Sequence, residues 1–424
     1  MLLPTWLVVT LGGGTLLALV LGLLLWSGRS QRYTRLNPDP LPDADRLLPA
    51  AEGLTQSWAV EGNSLELFEN GSEFYPALLR EIDAAERSVH LEVYAWWRGE
   101  ICRRVTDALC RAARRGVEVR LLVDALGSFL MEDELVSELE DCGCRVARYH
   151  DFRLRTLGRL NKRDHRKLAI FDGRRAFVFG HGIAEEWEGA GDRPDCWRDM
   201  ALRVTGPAVN HLQAVFAQNW MEETAEFLVD PGYFPDLETT GDLPLQVVAS
   251  SPRGGVSNSS IFYRLMVGSA RREILIQNPY FAPGPEMAQM LCDASSRGVR
   301  VRLMLPGPVT DSRIVQYAGR YLYERLLEAG VEIYFFQTTL NHQKIVVVDR
   351  RWSYVGSANF DERSFDINAE VGLGIVHEDF AHRLVSLFER DLDQAEELEL
   401  ERWRRRAQWG RWLERAAFLV HDQL

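Results

Sequence analysis

The chain is 424 residues long, 46% hydrophobic and 26% charged, with a formal net charge of −12. That length calls for two domains, or for one domain built from two similar halves, and the composition excludes an intrinsically disordered chain. The acidic balance argues against nucleic acid as a partner, because counterion release requires a basic surface facing the phosphates.

No charged residue stands between Thr5 and Trp26, a stretch that at about 1.5 Å per helical residue spans roughly the 30 Å hydrocarbon layer of a bilayer. Trp6 and Trp26 mark its ends, and Arg29, Arg32 and Arg35 follow with no Lys or Arg ahead of it. That asymmetry predicts a single-pass membrane anchor, residues 1–35 with its basic flank, and a body on the cytoplasmic side. A cleaved signal peptide, the competing reading, would carry its positive charge ahead of the apolar run. Gly14, Ala18 and Gly22 lie four apart and suit a helix-packing face.

Residues 36–60 read as a linker. The run Asn37-Pro38-Asp39-Pro40-Leu41-Pro42-Asp43 is short of the backbone donors that helices and central strands use, so it is expected to stay extended. Cys102, Cys110, Cys142, Cys144, Cys196 and Cys292 stand at irregular spacings with no paired C-x-x-C array. They are read as reduced thiols, with no metal.

The chain then repeats itself. Segment 112–122, AARRGVEVRLL, is echoed by segment 294–304, ASSRGVRVRLM, each a helix end, a glycine stop and a strand. Upstream of each lies an apolar strand, Val89 to Ala95 and Ile274 to Tyr280, and downstream a second helix and a further strand, Gly143 to Tyr149 and Gly330 to Phe335. This order predicts a duplicated α/β domain with mixed, mostly parallel sheets covered by helices. The turn-rich stretch from Asp230 to Pro244 marks the junction. The halves are placed at 61–225 and 245–392, the linker between them at 226–244, and an amphipathic C-terminal helix at 393–424.

Each half carries one copy of His-x-Lys-x-x-x-x-Asp: His165, Lys167 and Asp172 in the first, His342, Lys344 and Asp349 in the second. Residues two apart on a strand share a face, so each His and Lys point the same way. Lysine supplies a point charge to phosphate oxygens, and imidazole near neutrality serves as nucleophile, acid or base. Two copies brought together place one His for attack on phosphorus and another to protonate the leaving alcohol, a scheme that calls for no metal or other cofactor. The aspartates fall where each strand should turn, Asp172 directly before Gly173, so turn chemistry competes with catalysis as their role.

Paired motifs of this kind resemble the phospholipase D superfamily, and their surroundings resemble its bacterial cardiolipin synthase branch. The resemblance runs from about Glu61 to Trp412 and rests on Leu91-Glu92-Val93-Tyr94, Asp124-x-x-Gly127-Ser128, Trp197-Arg198-Asp199, Asn278-Pro279-Tyr280-Phe281-x-Pro283 and Gly356-Ser357-Ala358-Asn359. It implies the phospholipase D fold, two similar α-β-α lobes related by a pseudo-twofold with the site between them. It also implies a covalent phosphohistidine and transfer of a phosphatidyl group to an alcohol or to water, the first reading being the free hydroxyl of phosphatidylglycerol. On that resemblance His165 is the nucleophile and His342 the general acid, Lys167 and Lys344 hold the phosphate, Ser357 and Asn359 meet its oxygens, and Asp199 and Glu370 orient the histidines. The implied place is the bacterial inner membrane. One departure stands out: opposite Gly356-Ser357-Ala358-Asn359 the first half reads Phe179-Gly180-His181-Gly182, so either His181 substitutes as a phosphate donor or the first half-site binds less tightly.

Lipid is the expected partner. Arg153, Arg155, Arg159, Lys162 and Arg163 are interleaved with Phe152, Leu154, Leu157 and Leu160, and the tail mixes Trp403, Trp409 and Trp412 with Arg404, Arg405, Arg406, Arg411 and Arg415, as interfacial segments do. Trp96 and Trp97 follow the first strand where ligands approach such sheets. The rival readings are a phosphodiester hydrolase that ends on water and a lipid-binding module that has lost turnover.

Overall fold

The computed structural model describes residues 12–15, 22, 41–151, 161–251 and 257–424. Most of the expected anchor helix and most of the basic segment before the first motif lie outside the described residues. Among the described residues no helix is long and apolar enough to cross a membrane.

Strands β1 (Ala59–Glu69), β2 (Ser88–Val93), β3 (Glu118–Asp124), β4 (Arg145–Tyr149), β5 (Leu168–Phe171), β6 (Arg175–Phe179) and β7 (Met200–Thr205) belong to the first half. The second half contains β8 (Leu243–Ser250), β9 (Glu273–Gln277), β10 (Phe281–Ala282), β11 (Arg300–Pro306), β12 (Glu332–Phe336), β13 (Ile345–Val348), β14 (Trp352–Gly356), β15 (Phe360–Asp361), β16 (Glu370–Val376) and β17 (Ala395–Glu397). All except β10 and β15 join one continuous sheet in the order β17-β12-β11-β9-β13-β14-β16-β8-β1-β7-β6-β5-β2-β3-β4. Read outward from the centre, β1-β7-β6-β5-β2-β3-β4 and β8-β16-β14-β13-β9-β11-β12 are the same topology, and β1 and β8 pair antiparallel at the seam. The duplication in the sequence is therefore a duplication of architecture, with the two halves hydrogen-bonded into one sheet.

This sheet is not mostly parallel. Within it only β2–β3–β4 and β9–β11–β12 run parallel, and the other neighbours are antiparallel. The reason is local: each motif strand reverses on itself through a tight turn, β5 onto β6 and β13 onto β14. Asp172 and Gly173 in one turn, and Asp349 and Arg350 in the other, all have positive φ, the requirement of the two-residue turns whose twist matches a hairpin.

Helices cover both faces. Asn70–Ala84 and Glu100–Arg114 cover the first half on one side, and Asn258–Ser269, Pro285–Ser296 and Arg313–Glu328 cover the second half. On the opposite side Ala208–Thr224 and Glu378–Leu392 share a single core drawn from both halves, including Leu202, Leu245, Phe216, Leu373 and Phe388. A shared apolar core makes the two halves one packed body.

Three further expectations change. Within the expected 36–60 tether, Ala44–Thr55 is a helix whose first turn is capped by Asp43 accepting from Arg46 N; an acceptor at that position satisfies an otherwise orphaned donor. The expected single helix at 393–424 is instead β17, two helices (Leu400–Arg404 and Gln408–Phe418) and a short turn. The cysteines are not all free thiols: Cys110, inside the helix Glu100–Arg114, and Cys142, just past the end of the helix Asp133–Asp141, form a disulfide across a Cα separation of 5.3 Å, while Cys102, Cys144, Cys196 and Cys292 are free and buried.

Candidate active site

Each motif histidine sits just ahead of its strand, where the chain crosses to the other half. His165 N donates to Ala369 O at 2.9 Å, and His342 N donates to Arg198 O at 2.7 Å. The residue after each of those acceptors is an acid. Glu370 therefore comes from the second half to hold His165, with both carboxylate oxygens 3.0 Å from Nδ1, and Asp199 comes from the first half to hold His342, with Oδ2 2.7 Å from Nδ1. Each half orients the other's histidine. Because Nδ1 is taken by a carboxylate, Nε2 of His165 is left with a free lone pair.

The acids are themselves fixed. Ser357 Oγ donates to Glu370 and accepts from Val371 N at 3.0 Å. Asp199 accepts from Met200 N at 2.9 Å and from the indole of Trp187 at 3.0 Å. Further back, Asp124 takes hydrogen bonds from Leu126 N, Gly127 N and Asp164 N, which ties the chain leading into His165 to the end of β3.

Both histidines line one cavity of about 470 Å³, together with Lys167, Asn359, Tyr94, Trp97, Trp187, Tyr280, Arg163 and Arg363. That volume is of the order of a small-molecule site, enough for a glycerophosphate head group. Lys167 Nζ lies 5.2 Å above the Tyr94 ring, and that ring meets His165 edge to face at 4.9 Å. Lys344 Nζ is 2.6 Å from His342 Nδ1 and 3.1 Å from Nε2. Asn359 Oδ1 is buried with no hydrogen-bond partner among the described residues, an arrangement that costs free energy unless a ligand completes it. Among those residues no group of three or more His, Cys, Asp or Glu converges as metal ligands do.

Burial dominates the electrostatics. It pushes the His165 imidazolium down to about 4 against the pull of Glu370, and it holds His342 well below its ordinary value with help from Lys344. Lys167 falls to about 7 through burial and the like charge of Lys344, and Lys344 falls to about 8 through burial, opposed by Asp199. The histidines are thus neutral near pH 7 and the lysines close to their titration points. A phosphodiester anion entering the cavity favours the protonated forms of both lysines and of His342, since an opposite charge favours the charged form.

The structure gathers His165, Lys167, His342, Lys344, Ser357, Asn359, Asp199 and Glu370 at or directly behind this cavity, and separates the others from it. Asp172 accepts from Arg87 N at 2.7 Å and Ser88 N at 2.9 Å, and Asp349 accepts from Arg272 N at 2.7 Å and Glu273 N at 2.9 Å. Each lies seven residues past its histidine, roughly 23 Å along an extended strand, so the motif aspartates anchor the start of the neighbouring strand and are not among the cavity-lining residues. His181 is fully buried, its ring tilted against that of Phe74 at 4.6 Å, and is not among the cavity-lining residues. Trp96 is core while Trp97 lines the cavity. Arg163, expected in a lipid-facing basic run, is buried beside Asp124 on the cavity wall.

Reading the sequence missed several contributors. Trp187 and Asp311 line the cavity, as do Gln423 and Leu424, which come back to the mouth from the C-terminal helices. Arg363 holds that tail, donating to Gln423 O at 3.0 Å and to Asn161 O at 2.8 Å. The only sequence signal for Trp187 is the glycine opposite Asn359.

Comparison with known proteins places this geometry. A family described as "Cardiolipin synthase, PLD-like domain" matches residues 78–220 and 263–392. Cardiolipin synthase 2 of Bacillus anthracis is 34% identical over 364 residues, covering 85% of this chain and 70% of that protein. The major cardiolipin synthase ClsA of Bacillus subtilis is 34% identical over 355 residues, covering 83% and 73%. Among solved structures, phosphatidylserine synthase of Haemophilus influenzae superposes with a TM-score of 0.66 at 15% identity, over 89% of this chain and 100% of that one; this similarity shows a shared fold.

Proposed function

The chain belongs to the cardiolipin synthase family of phospholipase D-like proteins, and from that premise we propose that it is a phosphatidyltransferase that makes cardiolipin through a covalent phosphohistidine. The observation that carries this reading is the crossed pairing, in which Glu370 and Asp199 each reach from the other half to orient a histidine over one lysine-lined cavity.

His165 Nε2 attacks the phosphorus of phosphatidylglycerol, a P–N bond forms, and the P–O bond to the head-group glycerol breaks as His342 protonates the departing oxygen. The free hydroxyl of a second phosphatidylglycerol then attacks the same phosphorus while His342 takes its proton, and the P–N bond breaks to release cardiolipin. Lys344, against the His342 ring, suits that histidine to proton delivery. Lys167, Lys344 and Asn359 meet the phosphate oxygens, whose charge grows in the transition state. Ser357 acts through Glu370.

The cavity holds a head group and leaves acyl chains outside, so its mouth must face a bilayer. Exposed Leu126 and Ile314 lie on its rim, in keeping with a lipid surface there, and the uncharged run from Thr5 to Trp26 supplies an inner-membrane anchor with the body on the cytoplasmic side. The test is to incubate the full chain in detergent with phosphatidylglycerol and resolve the lipids by mass spectrometry. Cardiolipin and an equal amount of glycerol are expected; phosphatidic acid as the sole product would defeat the transferase reading.

A further inference from the structure

The two half-sites are not copies. Gly180 and Ser357 each follow their motif histidine by fifteen residues, and Gly182 and Asn359 by seventeen. The second half thus has a hydroxyl that holds Glu370 and an amide that lines the cavity, where the first half has no side chain at all. Asp199 fills the first of these spaces and Trp187 the second. A Cβ at Gly180 would lie 2.1 Å from Asp199 Oδ1, and one at Gly182 would lie 2.8 Å from Trp187 Cζ3. The indole fills the space beside Gly182, and its Nε1 donates to Asp199 Oδ2, the same oxygen that His342 Nδ1 meets at 2.7 Å. Trp187 stands edge to face with His342 at 5.2 Å, and Trp197 packs on both rings.

We propose that Trp187 is the positioning residue of the Asp199–His342 couple, doing with its indole N–H what the Ser357 hydroxyl does for Glu370, and putting an apolar wall where the second half has Asn359. Phosphate is then held through Lys167, Lys344 and Asn359, and the His342 side is kept dry by Trp97, Trp187 and Trp197, so that a lipid hydroxyl reaches the phosphohistidine more readily than water does. This consequence rests on the phosphatidyl-transfer reading; the positioning role does not.

The N–H also sets how strongly Asp199 attracts the proton on His342. Removing a donor concentrates charge on the carboxylate and makes the imidazolium easier to form. The titratable groups facing His342 are Asp199, Lys344, Lys167, His165, His181 and Tyr280, and Trp187→Phe leaves all of them in place. In full-length protein labelled with 13C in the histidine rings, His342 is expected to titrate about one pH unit higher in Trp187→Phe than in the native chain, with His165 unmoved. Ser357→Ala should instead raise the titration of His165, whose partner Glu370 loses a donor, and leave His342 unmoved. This readout needs no turnover, so it stands whether or not the transfer reaction is the correct one. In the lipid assay the same variant is expected to lose ~10- to 100-fold in kcat, the cost of one hydrogen bond to a charged group, with KM little changed and a larger share of phosphatidic acid. If Trp187→Phe does not fold, benzothienylalanine at 187, which replaces only the N–H by sulfur, decides the matter. A folded variant whose His342 titrates as in the native chain would overturn the proposal.

Discussion

Glu370→Gln exposes the crossed architecture to direct test. Glu370 is fully buried, both its oxygens are 3.0 Å from His165 Nδ1, and Ser357 holds it from behind. The substitution keeps size and shape but removes the charge that stabilises the histidine as it gives up its lone pair to phosphorus. A charge-assisted hydrogen bond contributes about 1.5–3 kcal/mol, or ~10- to 150-fold in rate at about 1.36 kcal/mol per decade. A second loss is geometric. If the amide turns its NH2 toward Nδ1, that nitrogen must accept, the ring proton moves to Nε2, and no lone pair faces the phosphorus; the wrong tautomer costs up to ~10⁴-fold in Ser-His-Asp enzymes. The expected kcat for cardiolipin formation therefore falls by ~10-fold at the least and by as much as ~10⁴-fold, with KM changed little. The assay is the initial rate at saturating phosphatidylglycerol, normalised to folded protein by thermal melting. A Glu370→Gln enzyme that melts like the native chain and works within about threefold of its rate would refute the orienting role.

Three further outcomes follow from the same geometry. Asp172→Ala and Asp349→Ala should each cost about 1–3 kcal/mol of stability by orphaning backbone donors, yet keep kcat per folded molecule within about threefold; a full loss of turnover in a folded variant would restore a catalytic role to either. Lys167 titrates at about 7 when folded and near 10.4 when unfolded, so between those values the unfolded chain binds the extra proton and stability rises with pH. Chemical denaturation at pH 7 and pH 9.5 should show that rise, and Lys167→Met should reduce it; an unchanged slope counts against the buried-lysine account. Deleting residues 421–424 removes Gln423 and Leu424 from the cavity mouth, and should raise the ratio of phosphatidic acid to cardiolipin by mass spectrometry; an unaltered ratio would mean that the tail does not shape the site.

What the sequence made legible, it did so through chemistry repeated at fixed spacing. His-x-Lys occurs twice because both half-sites need a ring and an ammonium on one strand face, and the echo of segment 112–122 in 294–304 became the shared order of strands around β1 and β8. Contacts across the seam left no such trace. His342 and Asp199 are 143 residues apart, and His165 and Glu370 are 205 apart; nothing local to either acid marks its partner, and only resemblance to a family named them. The sheet departs from the mostly parallel expectation because the Asp172-Gly173 turn imposes a hairpin on β5 and β6. Arg163 misled for a related reason: a basic residue in a basic run reads as solvated until tertiary packing sets it against the buried carboxylate of Asp124. Cys110 and Cys142 come from separate helices, a meeting that spacing alone does not encode. Gly182 was seen as a missing amide, and only the packed structure shows an indole standing in that space.

The claim on which the rest depends is that two imidazoles, one from each half, act in turn on a single phosphorus. Rapid quenching during turnover of acyl-labelled phosphatidylglycerol, followed by peptide mass spectrometry under conditions that preserve P–N bonds, tests it directly. The account predicts a phosphatidyl adduct on the peptide containing His165, absent from His165→Asn. No adduct while cardiolipin accumulates, or an adduct on a residue outside this cavity, would contradict it.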